Sequence, residues 1–200
     1  MPALCTGGVK TGGKGLSAGK HLAARKIGVI CAAVALVLDQ ASKLILLYWA
    51  GFINMPPGAR VPVLPFFDLV MVWNPGVSYG LFPAHSVLGR ELLIGLALLA
   101  IIGLSLWLWT TNRPLLAAGL GLIIGGAIGN NLIDRLVYGR VADFFHFYAF
   151  GYDWYVFNVA DAAIVIGVIA ILYDSLLRGP AAEAGDQRCR SEAGAKHEGR

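Results

Sequence analysis

Charge is scarce in this chain. Of its 200 residues only 14% are Asp, Glu, Lys or Arg, while 57% are hydrophobic, and the mean hydropathy is +0.67. That balance excludes an ordinary soluble domain and points to one small integral membrane domain. Cysteine is scarce too. The three cysteines, Cys5, Cys31 and Cys189, are too few and too scattered for a disulfide framework, and neither a disulfide nor a metal site is expected from them. Cys5 has no apolar targeting segment before it that would mark it for lipidation. The chain also lacks His-Glu-x-x-His, and Asp143 with His146 offers only two potential zinc ligands. His146 reads instead as an interfacial polar side chain. The net charge of +4 comes from tails that orient the protein, so no nucleic-acid partner is expected.

What is present are long apolar runs. Ile27–Trp49, Leu92–Thr110, Leu115–Val137 and Phe157–Leu177 each approach the roughly 20 residues needed to cross about 30 Å of hydrocarbon. Backbone amides in lipid must be satisfied within the segment, so these runs predict four transmembrane helices. The first is too long, and too interrupted by Asp39 and Lys43, to be a cleaved signal peptide.

Basic residues predict the orientation. Lys10, Lys14, Lys20, Arg25 and Lys26 precede the first run, Arg113 sits in the turn at Thr111–Pro114, and Arg178, Arg188, Arg190, Lys196 and Arg200 follow the last. The positive-inside rule puts both termini and that turn in the cytoplasm. Residues 1–26 and 179–200 then read as flexible cytoplasmic tails around a four-helix transmembrane domain at 27–178, with outward loops at 50–90 and 138–156. In the first loop, Arg60–Asn74 alternates Val61, Val63, Phe67, Leu69 and Met71 among polar residues and prolines, which predicts short strands. The fold class is thus an all-α membrane protein: a four-transmembrane-helix bundle with a small extracytoplasmic β-sheet and loop region.

The first loop leads into Asn74-Pro75-Gly76-Val77-Ser78-Tyr79-Gly80, whose proline and glycines suit a backbone that approaches a ligand closely. It also spells Gly-x-Ser-x-Gly. A serine nucleophile needs a base within reach, and His85 or His146 are the candidates on the outward side.

An ionisable residue at bilayer depth is a functional-site hypothesis by default. Asp39 and Lys43 stand one helical turn apart and read as an ion pair. Asn131, Asp134 and Arg135 stand at i, i+3 and i+4, on one face of an α-helix, with Arg135 expected to hold Asp134 ionised. Asp143 and Asp161 differ. Asp143 has apolar flanks and no adjacent cation, which favours a protonated carboxyl, while Asp161 opens the fourth run, where the helix dipole favours a carboxylate. Two carboxyl groups brought together would share one proton, Asp161 beginning as base and Asp143 as acid. A transporter or proton channel, or a membrane scaffold, also buries polar groups in a helical bundle, although the absence of an internal repeat argues against the transporter.

At these residues the chain resembles a family. Asp39-Gln40-Ala41-Ser42-Lys43, Asn74 to Gly80, Gly126 to Arg135, Val141-Ala142-Asp143-Phe144 and Phe157-Asn158-Val159-Ala160-Asp161 are similar, in order, to the signature blocks of bacterial lipoprotein signal peptidase, or signal peptidase II. The resemblance implies an intramembrane aspartyl endopeptidase that removes signal peptides from diacylglyceryl-modified prolipoproteins, cutting before the lipidated cysteine. It implies catalytic residues at Asp143 and Asp161, substrate-binding residues at Asn74, Asn131, Arg135 and Asn158, and a supporting polar pocket at Asp39, Lys43 and Asp134. It further implies a bacterial inner-membrane location with the site near the outer leaflet, inhibition by globomycin-type cyclic peptides, and no metal or organic cofactor. Membrane lipid is an expected partner, and a monomer the expected state. One departure stands out: the family has a single Asn before Leu-Ile-Asp-Arg, whereas here Asn130 and Asn131 are doubled. Either the third helix carries a bulge or Asn130 replaces a glycine. The three-residue spacing to Asp134 favours Asn131 as the pocket residue, with Asn130 as the alternative.

Overall fold

The computed structural model describes residues 13–56, 58–76 and 87–177. The four apolar runs are helices: α1 (Gly13–Leu44, continued by a π-helical turn Ile45–Trp49), α2 (Val87–Thr110), α3 (Pro114–Val137) and α4 (Val159–Leu176). Each is long and apolar enough to cross a membrane. The first helix begins at Gly13, well inside the stretch expected to be a flexible tail, so the apolar run marks the part of α1 apolar enough to cross a membrane and not its start.

Helix α3 is the centre of the bundle. Of its most apolar window 61% is buried, against 17%, 11% and 22% for α1, α2 and α4. Glycine makes this possible. A Cβ on Gly121 or Gly125 would run into the backbone of α1 at Gly28 and Ala32. One on Gly126 would come within 2.6 Å of the Ala160 carbonyl oxygen of α4, and one on Gly119 within 2.8 Å of that of Gly167. Gly121 and Gly125 are one turn apart, and Gly119 and Gly126 two turns apart, so α3 carries two bare stripes. Without a hydrophobic driving force between helices in lipid, such close backbone approach is a main source of association.

The Thr111–Pro114 turn closes one end of the bundle. Pro114 starts α3, where its missing N–H costs nothing. Arg113 pairs with the Asp174 carboxylate and donates to the Asp174 carbonyl oxygen at 3.0 Å, fastening the turn to α4. Arg25 of α1 donates to the Trp109 carbonyl at the end of α2, at 2.8 Å.

The opposite end carries a four-stranded antiparallel sheet in the order β1 (Arg60–Leu64), β2 (Phe67–Asn74), β3 (Val141–Ala149) and β4 (Tyr152–Asp153). Strands form in the first loop where expected, but burial does not follow the apolar alternation: β1 is exposed throughout, and Asp68, Val70 and Met71 are the buried residues of β2. The second loop supplies β3 and β4, which its sequence did not announce, because Val141–Phe145 is a nearly unbroken apolar run. Register between β2 and β3 sets Phe67 opposite Phe147 and Val72 opposite Asp143, with a shift between Leu69 and Val72. Leu47, Phe52, Met71, Ala142 and Phe144 form the small core that seats the sheet on the end of α1.

Candidate active site

The fourth helix opens with a capping box. Asn158, in extended conformation, accepts the Asp161 N–H at 3.0 Å, and the Asp161 carboxylate accepts the Asn158 N–H at 3.2 Å. Asp161 is thereby fixed in the first turn, where the helix dipole favours a negative charge. The same Asn158 donates from Nδ2 to Asp143 Oδ1 at 2.6 Å and to the Ala142 carbonyl at 3.3 Å. Asp143 reaches this point because β3 carries it to the mouth of α4. One asparagine therefore bonds both aspartates. Asn158, expected to bind substrate, is fully buried with its amide bonded to protein partners, and it is not among the residues that line the cavity.

Asp143 Oδ2 accepts a longer bond from Asn74 at 3.3 Å. Burial pushes the Asp143 carboxyl up from its ordinary 3.8 to about 8, with the charge of Asp161 adding to the effect and the Asn74 and Asn158 donors opposing it. Burial therefore favours the protonated form of Asp143 at neutral pH. Asp143 and Asp161 open together into a cavity of about 600 Å³, lined on its polar side by Asn74, Asn130, Asn131 and Arg135 and on its apolar side by Val141, Trp154, Phe157 and, from α4, Ala162, Ile164, Val165 and Ile166.

Beneath the aspartates lies a second buried cluster. Lys43 Nζ is 2.7 Å from Asp39 Oδ2 and 2.7 Å from Asp134 Oδ2, and donates to Asn130 Oδ1 at 2.6 Å. Asp39 and Lys43 form the expected pair, but Asp134 pairs with Lys43 and not with its neighbour Arg135. Gln40 donates to both carboxylates, and Asp39 Oδ1 accepts the Ala160 N–H at 3.0 Å, tying α1 to the start of α4. Asp39, Gln40, Lys43 and Asp134 are not among the residues that line the cavity, whereas Asn130 is.

The doubled asparagine is resolved by a π-helical turn over Ile128–Asp134, which absorbs the extra residue as a bulge. The α-helical expectation that Asn131, Asp134 and Arg135 share one face therefore fails. Asn130 and Asp134 face Lys43, and Asn130 also donates to Asp161 Oδ1 at 2.9 Å and to Asn158 Oδ1 at 3.2 Å. Asn131 and Arg135 turn the other way: Arg135 donates from Nε to Asn131 Oδ1 at 3.2 Å and from its two terminal nitrogens to the carbonyls of Pro75 and Gly76. Both asparagines line the cavity, but Asn130 is the one that bonds an aspartate.

Sequence reasoning passed over Gln40, whose long side chain reaches across from a neighbouring face, and Tyr155, which accepts from Asn74 at 2.9 Å. Ser78 and His85 of the serine reading lie outside the described residues. His146 is buried, with Nε2 3.3 Å from the Asp153 carboxylate on β4.

The model of the signal peptidase (SPase) II family matches residues 31–177. The chain belongs to the signal peptidase II family. It is 52% identical over 163 residues to a lipoprotein signal peptidase of Rhodopseudomonas palustris strain TIE-1, covering 80% of this chain and 97% of that protein. It is 49% identical over 165 residues to one from Methylorubrum extorquens strain PA1, covering 82% and 94%. A bacterial membrane enzyme solved by the in meso method at 2.3 Å superposes with a TM-score of 0.66 at 26% identity, over 77% of this chain and 90% of that one. A second, solved by the same method at 1.9 Å, gives 0.63 at 27% identity, over 76% and 93%. The chain is a multi-pass membrane peptidase, and the transporter and scaffold readings lose their basis.

Proposed function

We propose that the chain removes signal peptides from diacylglyceryl-modified prolipoproteins, cutting before the lipidated cysteine, by activating water between Asp143 and Asp161. The observation that carries this reading is a single residue, Asn158, that donates from its side-chain amide to the Asp143 carboxyl and from its backbone N–H to the Asp161 carboxyl, both carboxyl groups lining one cavity. Asp161, in the helix N-terminus and bonded by Asn130, takes a proton from the water as the oxygen attacks the scissile carbonyl carbon. Asp143 gives its proton to the carbonyl oxygen, forming a neutral gem-diol. Collapse returns a proton from one hydroxyl to Asp143, breaks the C–N bond, and passes the proton on Asp161 to the leaving amine.

The apolar α4 face, with Trp154 and Phe157, suits a signal helix and acyl chains, while Asn131 and Arg135 offer donors to peptide carbonyls. Globomycin-type cyclic peptides would compete for this cavity. In the bacterial inner membrane, with both termini cytoplasmic, the sheet end would lie at the outer leaflet, where water reaches the aspartates. A monomer contains every one of these groups.

The test is cleavage of a diacylglyceryl-modified prolipoprotein by the purified protein in detergent. Asp143→Asn and Asp161→Asn should each lower the rate by at least about a thousandfold, and Ser78→Ala should leave it within a few-fold. Normal cleavage by either aspartate variant would overturn the dyad. Loss of activity in Ser78→Ala with both aspartate variants active would establish the serine mechanism instead.

A further inference from the structure

Asp143 is held from both sides. Its Oδ1 accepts from Asn158 and its Oδ2 from Asn74. These two donors come from distant parts of the chain, the N-cap of α4 and the last residue of β2. They are nevertheless joined. Asn74 Nδ2 also donates to the Tyr155 hydroxyl at 2.9 Å, and Tyr155 lies three residues before Asn158 on the same linker. The result is a closed ring that runs from Asp143 Oδ2 through Asn74, Tyr155 and the short backbone stretch to Asn158 and back to Asp143 Oδ1. The other end of the Asn74 amide is fixed too, because its Oδ1 accepts the Gly76 N–H at 3.1 Å. With oxygen and nitrogen both engaged, the amide cannot flip and present its oxygen to Asp143.

We infer that Tyr155 is a positioning residue for the peptidase reaction: by holding Asn74, its hydroxyl sets the orientation of the Asp143 carboxyl and the donor that faces it. The inference rests on the aspartyl reading above and adds to it a residue outside the family-like blocks quoted from the sequence.

Three chemical features support the assignment. Tyr155 is half-buried in the cavity wall, so its ring is confined and its hydroxyl has a definite place. At 3.3 Å the Asn74 bond to Asp143 is long, so a small rotation of the amide would abolish it. The bond also acts on the reaction with a definite sign. A donor at Oδ2 favours the ionised form of Asp143, so it opposes the burial that keeps the proton on. Releasing Asn74 leaves Asp143 a weaker acid, slower to give its proton to the carbonyl oxygen.

The test is Tyr155→Phe, which removes the hydroxyl and keeps the ring. We expect kcat to fall about tenfold with KM changed less than twofold, and the alkaline limb of the kcat profile to move to higher pH. The variant is combined with Asn74→Ala in a double-mutant cycle. If Tyr155 acts through Asn74, the double variant is no slower than Asn74→Ala alone. A Tyr155→Phe protein with an unchanged kcat and pH profile overturns the inference, as does a double variant whose losses multiply. Thermal unfolding of each variant is followed alongside: a lowered Tm with unaltered pH profile marks a purely structural tyrosine and also overturns it. Asp143→Asn serves as reference. If that variant is inactive while Tyr155→Phe is normal, the inference falls alone; if Asp143→Asn cleaves normally, the aspartyl reading falls with it.

Discussion

Lys43 of α1 meets Asp134 of α3 at 2.7 Å, with both side chains sealed from solvent. The ammonium also serves Asp39 and Asn130, so a single positive charge holds two carboxylates and the amide that bonds Asp161. Buried ion pairs are weak evidence for net stability, since desolvation offsets much of the attraction, but removing one partner leaves the other charge stranded.

Lys43→Met should therefore destabilise the protein by roughly 3–5 kcal/mol, because Asp39 and Asp134 lose their common cation. Adding Asp134→Asn to that variant should recover part of the loss. Denaturant unfolding in detergent measures both. Equal stability of Lys43→Met and the parent protein would show that the cluster is neutral as folded.

Asp143 gives the pH dependence its sign. Its carboxyl titrates near 8 in the folded protein against an ordinary 3.8, so the folded state binds the proton more tightly. The stability this contributes is complete below the ordinary value and is lost as pH rises through about 8. Activity should fall over the same upper range as the acid loses its proton, and Asp143→Asn should flatten the decline in Tm between neutral and mildly alkaline pH. A parent Tm that does not fall across that interval would contradict the assignment.

Asn130 and Asn131 should separate cleanly. Asn130→Ala removes the donor to Asp161 and the acceptor for Lys43, and a loss of about a hundredfold in kcat, some 2.7 kcal/mol in barrier, is expected. Asn131→Ala loosens Arg135 against the Pro75 and Gly76 carbonyls and should act mainly on KM, by less than about tenfold. Steady-state kinetics on the two variants decide, and the reverse order would mean that the π-helical turn points the other way in the working enzyme.

How much could be read beforehand differed by element. The four helices follow from apolar length, a local signal, and the β1–β2 strands lie where the sequence placed them, although which of their side chains are buried does not follow the alternation. Asp143 and Asp161 stood out because a carboxyl without a neighbouring cation is conspicuous in so apolar a chain. Asp134 was assigned to the wrong cation, since adjacency in sequence says nothing about a lysine one helix away. Asn131 was favoured over Asn130 by its three-residue spacing to Asp134, and both line the cavity, but spacing alone does not show that Asn130 bonds Asp161. Tyr155 and Gln40 carried no signal, for their partners become neighbours only when the sheet and helices assemble.

Because α3 touches both α1 and α4 through bare glycine stripes while α2 keeps most of its surface toward lipid, the molecule should tolerate change very unevenly. Any greasy side chain can stand on the outside of α2, where drift between species costs nothing and a fluorophore or crosslinker can be attached harmlessly. A single methyl on Gly125 would instead wedge the mast of the bundle away from its neighbour.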